Sequence, residues 1–376
     1  MDRRTVLRGA LGAGLLGPPV AAQAQTSDLV RVRIDPAAVY RTTVCLRPFR
    51  GAGPRIEAQR LGRKIIVHNY GHGGSGWSLS WGSAAEAVAL AMAHEPRRIG
   101  VIGAGAIGLT TAITAQRAGA DVTIYARERF PFVRSARATG VWSPDSRIAK
   151  TAEVDADFPA RWERMARLSL QMHEAFVGLA GDPVEWLDNY SCRDLPAPPD
   201  APAPAPALPT DFITLGGRIR DAVPRSVELP PGSHPFNAGI VRRAPRLTFN
   251  VAGYSHRLET DFQIAGGRFE MADFETPRDL RRLREPVLIN CTGYGARALF
   301  GDESVVPVRG QIVWLAPQPD VHYSIGYGSL SVVARRDGIV VQESGPDDNF
   351  GFGDDNETID AAARDAAIER LKLIYV

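Results

Sequence analysis

Two glycine-dense turns carry the chemistry that this sequence can do. In "RIGVIGAGAIGLTTAITAQRAGADVTIYARE", residues 98–128, Gly103, Gly105 and Gly108 stand in the GxGxxG spacing. Gly103 permits a tight turn, Gly105 lets a pyrophosphate approach the backbone, and Gly108 lets helix and sheet pack closely. Ala104 and Ile107 belong to the same cofactor-binding turn, whose free amides at a helix start aim at negative charge. Upstream, "KIIVHNYGHGGSGWSLSWGSA" at 64–84 places Gly71, Gly73, Gly74 and Gly76 in one turn, more than a simple reversal needs. Close approach of backbone to a flat ring or a phosphate is the functional explanation, and a surface loop is the plain one.

Elements must hold these turns. Ile99 to Ile102 reads as a buried strand, Ala106 to Ala118 as a helix and Asp121 to Tyr125 as a second strand, so the GxGxxG has the strand, turn, helix and strand context that dinucleotide binding requires. Glu128, after the second strand, is the candidate for the ribose, with Arg127 placed to lie over adenine or meet a phosphate; Glu128 reads equally well as a surface acid. Ile65 to Val67, the turn His68 to Trp77 and a helix over Ser83 to His94 form a similar unit, bringing Gly71, His72, Gly73, Gly74, Ser75 and Gly76 to the same cofactor. "VLINCTGYGA", 287–296, reads as a further buried strand whose end, Thr292 and Gly293, faces it.

The 376 residues include 44 basic and 42 acidic side chains, enough chain for one large or two medium domains and too balanced for a dominant electrostatic partner. The scattered arginine pairs give no nucleic-acid stripe. Arg3 and Arg4 precede an apolar, glycine-rich run from Ala10 to Ala22, and Ala22-Gln23-Ala24 offers a cleavage site, so residues 1–24 are expected to be an export signal of twin-arginine type, directing the protein to the periplasm or outside the cell. The run is too short for stable membrane insertion. Cys45, Cys192 and Cys291 fit neither a disulfide framework nor a metal site, and no metal is expected.

"LPAPPDAPAPAPALP", 195–209, reads as an exposed loop. A helix is expected near Trp162 to Leu179, and alternating runs at Leu247 to Val251, Arg268 to Phe274, Val287 to Cys291 and Gln311 to Leu315 suggest a second sheet, with a hairpin turning at Asp337-Gly338 and a terminal helix over Thr358 to Leu373.

Together these pieces resemble the D-amino acid oxidase family. "GAGAIGLTTA" resembles its first fingerprint, "ATGVWSP" the segment after the second strand, "LINCTG" and "RGQI" its central strands, and "HNYGHGGSGWSLSWG" its most specific signature. The resemblance implies an α/β fold, a Rossmann-like FAD-binding domain with a mostly antiparallel α+β substrate domain. It also implies a circularly permuted motif order, because the family carries "CLRPFRGAGPRIE" and the histidine-glycine signature near its carboxyl end. On that basis 25–56 is a substrate-domain segment and 57–150 the FAD-binding domain. Residues 151–275 are mainly substrate domain, 276–306 return to the FAD-binding domain, and 307–376 to the substrate domain.

The resemblance implies FAD as cofactor, a small amino acid as substrate and molecular oxygen as acceptor, giving a 2-oxo acid, ammonia and hydrogen peroxide. A glycine or amine oxidase, an amino acid dehydrogenase and a non-catalytic flavin-binding protein are the alternatives, and a homo-oligomer stays open. Arg47 occupies the place of the family's substrate-binding arginine; a guanidinium grips both carboxylate oxygens. Thr139 and Gly140 fall in the cofactor-facing "ATG". "SHPFNAGIV", 233–241, replaces the segment with the family's substrate-contacting tyrosine, which leaves His234 as a donor to substrate or an ordinary turn residue, and Phe236, Tyr254, Trp314 and Tyr327 as alternative pocket walls.

Overall fold

The computed structural model describes residues 29–196 and 210–376; the expected export signal and most of the Pro/Ala-rich run at 195–209 lie outside the described residues. Two sheets carry the fold. The six-stranded sheet comprises β2 (Arg55–Leu61), β3 (Lys64–Tyr70), β4 (Arg98–Ile102), β5 (Asp121–Ala126), β9 (Arg268–Met271) and β10 (Val287–Asn290), in the spatial order β2-β3-β10-β4-β5-β9. From β3 to β9 all neighbours run parallel, with β2 antiparallel at the edge. Such strands are covered on both faces, which is why "IGVI" carries no polar side chain and "VLIN" only the hydrogen-bonded Asn290.

The eight-stranded sheet comprises β1 (Val39–Phe49), β6 (Val184–Arg193), β7 (Val227–Glu228), β8 (Ile240–Phe249), β11 (Val306–Leu315), β12 (Tyr323–Tyr327), β13 (Leu330–Arg335) and β14 (Gly338–Glu343). Its order is β1-β11-β14-β13-β12-β6-β8-β7, antiparallel except where β12 meets β6. The hairpin of β13 and β14 turns at Arg336 and Asp337, as the Asp-Gly signal anticipates.

Helices α1 (Gly76–Met92) and α2 (Ala106–Arg117) pack on the six-stranded sheet, α3 (Phe158–Glu174) packs on α1 and α4 (Val251–Ile264) on α2, followed by the short α5 (Gly295–Phe300) and by α6 (Ala361–Leu371) against the other sheet. Helix α1 starts at Gly76 rather than at Ser83, because tertiary packing overrides the poor helix propensity of its glycines and serines. A Cβ on Gly82 would stand 2.2 Å from the Met165 carbonyl oxygen, and the Gly82 amide donates to Ser169 Oγ at 2.8 Å. Small residues there let α1 and α3 touch.

Two of the runs expected in the second sheet are corrected. Val287 to Cys291 supplies β10, in the middle of the parallel sheet between β3 and β4. Arg268 to Phe274 does not join the second sheet: β9 is the edge of the parallel sheet beside β5, and α4 packs on α2, so 251–271 sit with the nucleotide-type layer. A short exposed strand carries no pattern that says which sheet will take it. Near the described ends, Val32 N–H donates to the Tyr375 hydroxyl at 3.1 Å, and Tyr323 Oη donates to the Val30 carbonyl at 2.6 Å.

Candidate active site

The two glycine turns open on one cavity of about 600 Å³ that runs between the sheets. At its centre Gly103 turns the chain at φ 107°, and a Cβ on Gly108 would stand 2.0 Å from the Gly103 carbonyl, so α2 can seat itself on the turn only without a side chain there. Gly108 therefore shapes the cradle from behind and does not line the cavity, whereas Gly103, Ala104, Gly105 and Ile107 do. Helix α2 has no cap from its own N-terminal residue, and the Ala106 amide donates to Ser135 Oγ at 3.0 Å. Unpaired amides at that helix start remain directed at the space in front of it.

The second turn converges on the same space. Gly71, His72, Gly73, Gly74 and Gly76 line the cavity, and α1 also begins without a side-chain cap. Two helix N-termini thus face one volume, which accounts for the excess of glycine in the upstream turn. Ser75 is buried behind it, donating to the Ser146 carbonyl at 3.2 Å. His72 is 2% exposed, its Nε2 has no partner, and burial pushes its pKa down to about 3, so the ring is neutral. His68 has a structural place: Nε2 meets Gln59 Oε1 at 2.9 Å and Nδ1 meets the Asn290 amide at 3.2 Å, tying β3 to both neighbours, with the pKa lowered by burial to about 4.

Arg127 and Glu128 lie at the end of β5 on the cavity wall, beside Asp273 and Glu275 at the end of the neighbouring β9; Thr292 and Gly293 also line it. Thr139 and Gly140 are not on the wall. The Gly140 carbonyl accepts from Phe249 N–H at 2.6 Å and a Cβ at this position, with φ 90°, would meet the Phe249 oxygen at 2.5 Å, so these residues join two segments of the scaffold.

Arg47 projects from β1 into this cavity. Its guanidinium lies across Gly310 on β11, where a Cβ would stand 2.5 Å from Nη2. Burial pushes its pKa below the usual arginine value, with Cys45 favouring and Arg147 opposing its charge among the described residues. No carboxylate pairs with Arg47 among the described residues; Nη1 reaches only the Arg309 carbonyl at 3.4 Å. A desolvated cation without a counter-ion is costly unless a ligand supplies one. The neighbouring arginines are engaged: Arg50 donates to Ser304 Oγ and the Gly53 carbonyl, and Arg55 to Glu57 and the Tyr70 hydroxyl.

His234 is corrected. It is half-buried, stacking on Phe236, whose ring meets Tyr375 in the core beside the eight-stranded sheet, and is not among the residues lining the cavity. The alternatives Phe236, Tyr254, Trp314 and Tyr327 are equally core residues; Tyr254 accepts from Trp81 Nε1 and meets His173 Nδ1, both at 2.9 Å. Turn-like local sequence said nothing about which layer would receive His234.

Sequence reasoning missed Arg134, Ser135 and Gly310. Arg134 and Ser135 line the cavity from a single 3-10 turn after β5, and Trp77 Nε1 donates to the Ser135 carbonyl at 2.9 Å. Their signal, two polar residues in an irregular segment, is indistinct. Gly310 had one: a glycine inside an apolar strand marks a close approach by another group.

The parallel sheet with its glycine cradle, the antiparallel sheet facing it and the shared cavity define a nucleotide-cofactor protein with a separate ligand-binding layer. A family model described as FAD dependent oxidoreductase matches residues 98–375, and the chain belongs to that family. The match begins at β4 and leaves out β1 to β3 and α1. Among curated relatives, the D-amino-acid oxidase of Streptomyces coelicolor is 28% identical over 229 residues, 59% of this chain and 60% of that one. The D-amino-acid oxidase of Rubrobacter xylanophilus is 30% identical over 216 residues, 57% of this chain and 58% of its own. The chain thus spans about three-fifths of the length of these relatives. Among solved structures, the L-proline dehydrogenase from P. horikoshii aligns with a TM-score of 0.49 at 12% identity, covering 73% of this chain and 75% of the other.

The residues present fit FAD. Glycines whose Cβ atoms would fill the cradle, two helix starts lacking caps of their own and an elongated cavity from Glu128 to Gly76 suit a long, flat, doubly phosphorylated ligand.

Proposed function

We propose that the protein oxidatively deaminates D-amino acids, with Arg47 as the group that holds the substrate carboxylate. The observation that carries this reading is Arg47 itself, a guanidinium without a carboxylate partner on the wall of the cavity that contains the glycine cradle. FAD, when bound, supplies the two-electron oxidising chemistry. The protein's part is positioning. Arg47 fixes the carboxylate in a fork, and Gly310 leaves room for the guanidinium to lie flat on the sheet. Neutral His72 adds no charge near the reacting centre, and the layers on either side exclude water. No acid or base is demanded when the amine binds uncharged.

The permuted motif order is part of the proposal. It is supported by the family match starting at residue 98, by β3 and α1 completing the layer begun at β4, and by the packing of Val30 and Val32 on Tyr323 and Tyr375. Export by the arginine-bearing leader is proposed from the sequence alone, and fractionation of expressing cells tests it.

The test of the activity is the anaerobic flavin spectrum of the purified holoprotein before and after single D-amino acids, L-amino acids and glycine. Bleaching by D-amino acids is expected. Bleaching only by glycine or L-amino acids replaces the substrate class, and a flavin that nothing bleaches overturns the reading. Peroxide formed in stoichiometric amount on readmitting air identifies oxygen as acceptor.

A further inference from the structure

We infer that Tyr254 and His173 form a redox-active pair, in which Tyr254 gives an electron through Trp77 to photoexcited FAD held in the cavity and passes its phenol proton to His173. The inference goes beyond the substrate reading and rests only on the family's flavin. Among the described residues, Trp77 is the tryptophan on the cavity wall. It stands at the start of α1, and its Nε1 donates to the carbonyl of Ser135, the residue whose hydroxyl caps the start of α2. Tyr254, on α4, is not on the wall. Its ring centre lies 5.4 Å from that of Trp77 with the planes 33° apart, so the two π-systems are in contact.

The hydrogen bonds of the pair allow one assignment of protons. His173 Nε2 is 3.0 Å from the Trp77 carbonyl, which can only accept, so Nε2 carries the ring proton and Nδ1 is bare. Trp81 Nε1, a donor only, reaches Tyr254 Oη at 2.9 Å, and the phenol therefore donates to Nδ1, also at 2.9 Å. Both side chains are fully buried. Phe249 and Phe176 cover them, with ring centres 4.7 Å from His173 and 5.0 Å from Tyr254. Burial holds the imidazole neutral, its pKa lowered to about 3, and pushes the phenol above its usual value. Apolar side chains of similar volume would fill this core with no polar group to satisfy, so packing alone does not call for the network.

The step balances within these groups. The Trp77 indole gives one electron to the photoexcited flavin, a cofactor capable of one-electron chemistry. Tyr254 then returns one electron to Trp77, its O–H bond breaks, and the proton moves to Nδ1 of His173. The protein is left with a neutral tyrosyl radical and an imidazolium that still donates through Nε2 to the Trp77 carbonyl. Return of the electron and the proton restores the starting state. Water is excluded, so the proton has His173 as its acceptor. Trp81 does not hold the oxidising equivalent, because the Arg117 guanidinium lies 5.2 Å from its ring centre and opposes a second positive charge. Refilling Trp77 in this way preserves the indole that ties the start of α1 to Ser135.

The test uses flavin-replete protein without substrate or oxygen, illuminated in the flavin absorption band and followed by flavin fluorescence, transient absorption and electron paramagnetic resonance. Wild type is expected to show quenched fluorescence and a tyrosyl radical that forms more slowly in D2O. Trp77→Phe should raise the fluorescence several-fold and lose the radical. Tyr254→Phe should keep the quenching, lose the tyrosyl signal and leave an oxidised tryptophan that decays several-fold faster, with no D2O effect. His173→Gln, whose amide can make both hydrogen bonds but cannot take the proton, should behave as Tyr254→Phe does, which a purely structural role would not require. Tyr70, Tyr125 and Tyr294 also line the cavity and are the competing donors. A tyrosyl signal that persists in flavin-replete Tyr254→Phe belongs to one of them and overturns the inference. So does wild-type protein that yields no tyrosyl radical, whether or not the variants fold. Neither result touches the D-amino acid reading, which the dark substrate spectra decide.

Discussion

The two ends of the cavity are built by different means. The nucleotide end is backbone: glycines at 71–76 and 103–108, and two helix starts within short stretches of chain. The other end is side chain: Arg47 from β1, seated over Gly310 of β11, Arg134 from the turn after β5 and Tyr294 from the start of α5, residues far apart in sequence. Backbone recognition tolerates no added atoms, while side-chain recognition tolerates exchange at the cost of specificity.

That contrast can be broken most severely at the cradle. Gly105→Val should leave purified protein with no bound flavin, since a Cβ already meets Ser135 Oγ at 2.7 Å and the branched side chain fills the approach. A flavin-to-protein ratio equal to wild type would remove the cradle from the account. Arg47→Ala should retain flavin and lose about a hundredfold or more in kcat/KM for D-amino acids, as expected when a charged partner is deleted from an enclosed pair. Unchanged substrate affinity would end the assignment.

Acid should weaken the scaffold around the nucleotide end. His68, His72 and His173 have pKa values lowered by burial to about 4, 3 and 3, below the unfolded value of about 6.5. The unfolded chain then binds more protons between those limits, so stability falls as pH drops below about 6.5. At pH 5 each imidazole costs about 2 kcal/mol relative to neutral pH. Denaturant unfolding at pH 7 and pH 5 measures it, and equal midpoints would show that these rings are charged in the fold. The smallest effect is expected at Gly310→Ala, which crowds Nη2 of Arg47 and should raise KM about tenfold with flavin retained. An unaltered KM would mean that the guanidinium binds substrate from another position.

The same contrast explains what the sequence revealed. The nucleotide layer was legible because GxGxxG lies inside one strand, turn, helix and strand run, and the hairpin at Asp337 because the turn is local. Assigning β9 to a sheet failed because four partly exposed residues say nothing about their neighbour. His234 failed as a substrate contact for a related reason: its neighbours in space, Phe236 and Tyr375, lie in a different layer from the cavity. Arg47 was placed only by resemblance, and Ser135 was passed over because nothing in "PFVRSARATG" marks which residue of an irregular segment turns to the cavity.

The path of the chain between the layers sets how a ligand reaches this cavity. Among the described elements it passes from one sheet to the other four times, at β1 to β2, β5 to β6, β8 to β9 and β10 to β11. Two bodies sewn together by four threads cannot swing apart about one hinge. Traffic into the cavity must instead use the part of the wall held by the fewest threads. Residues 344–360 lie beside that wall, with Glu357 paired to the wall residue Arg134 and Asp354 to Arg309 in ion pairs that dissolved salt screens.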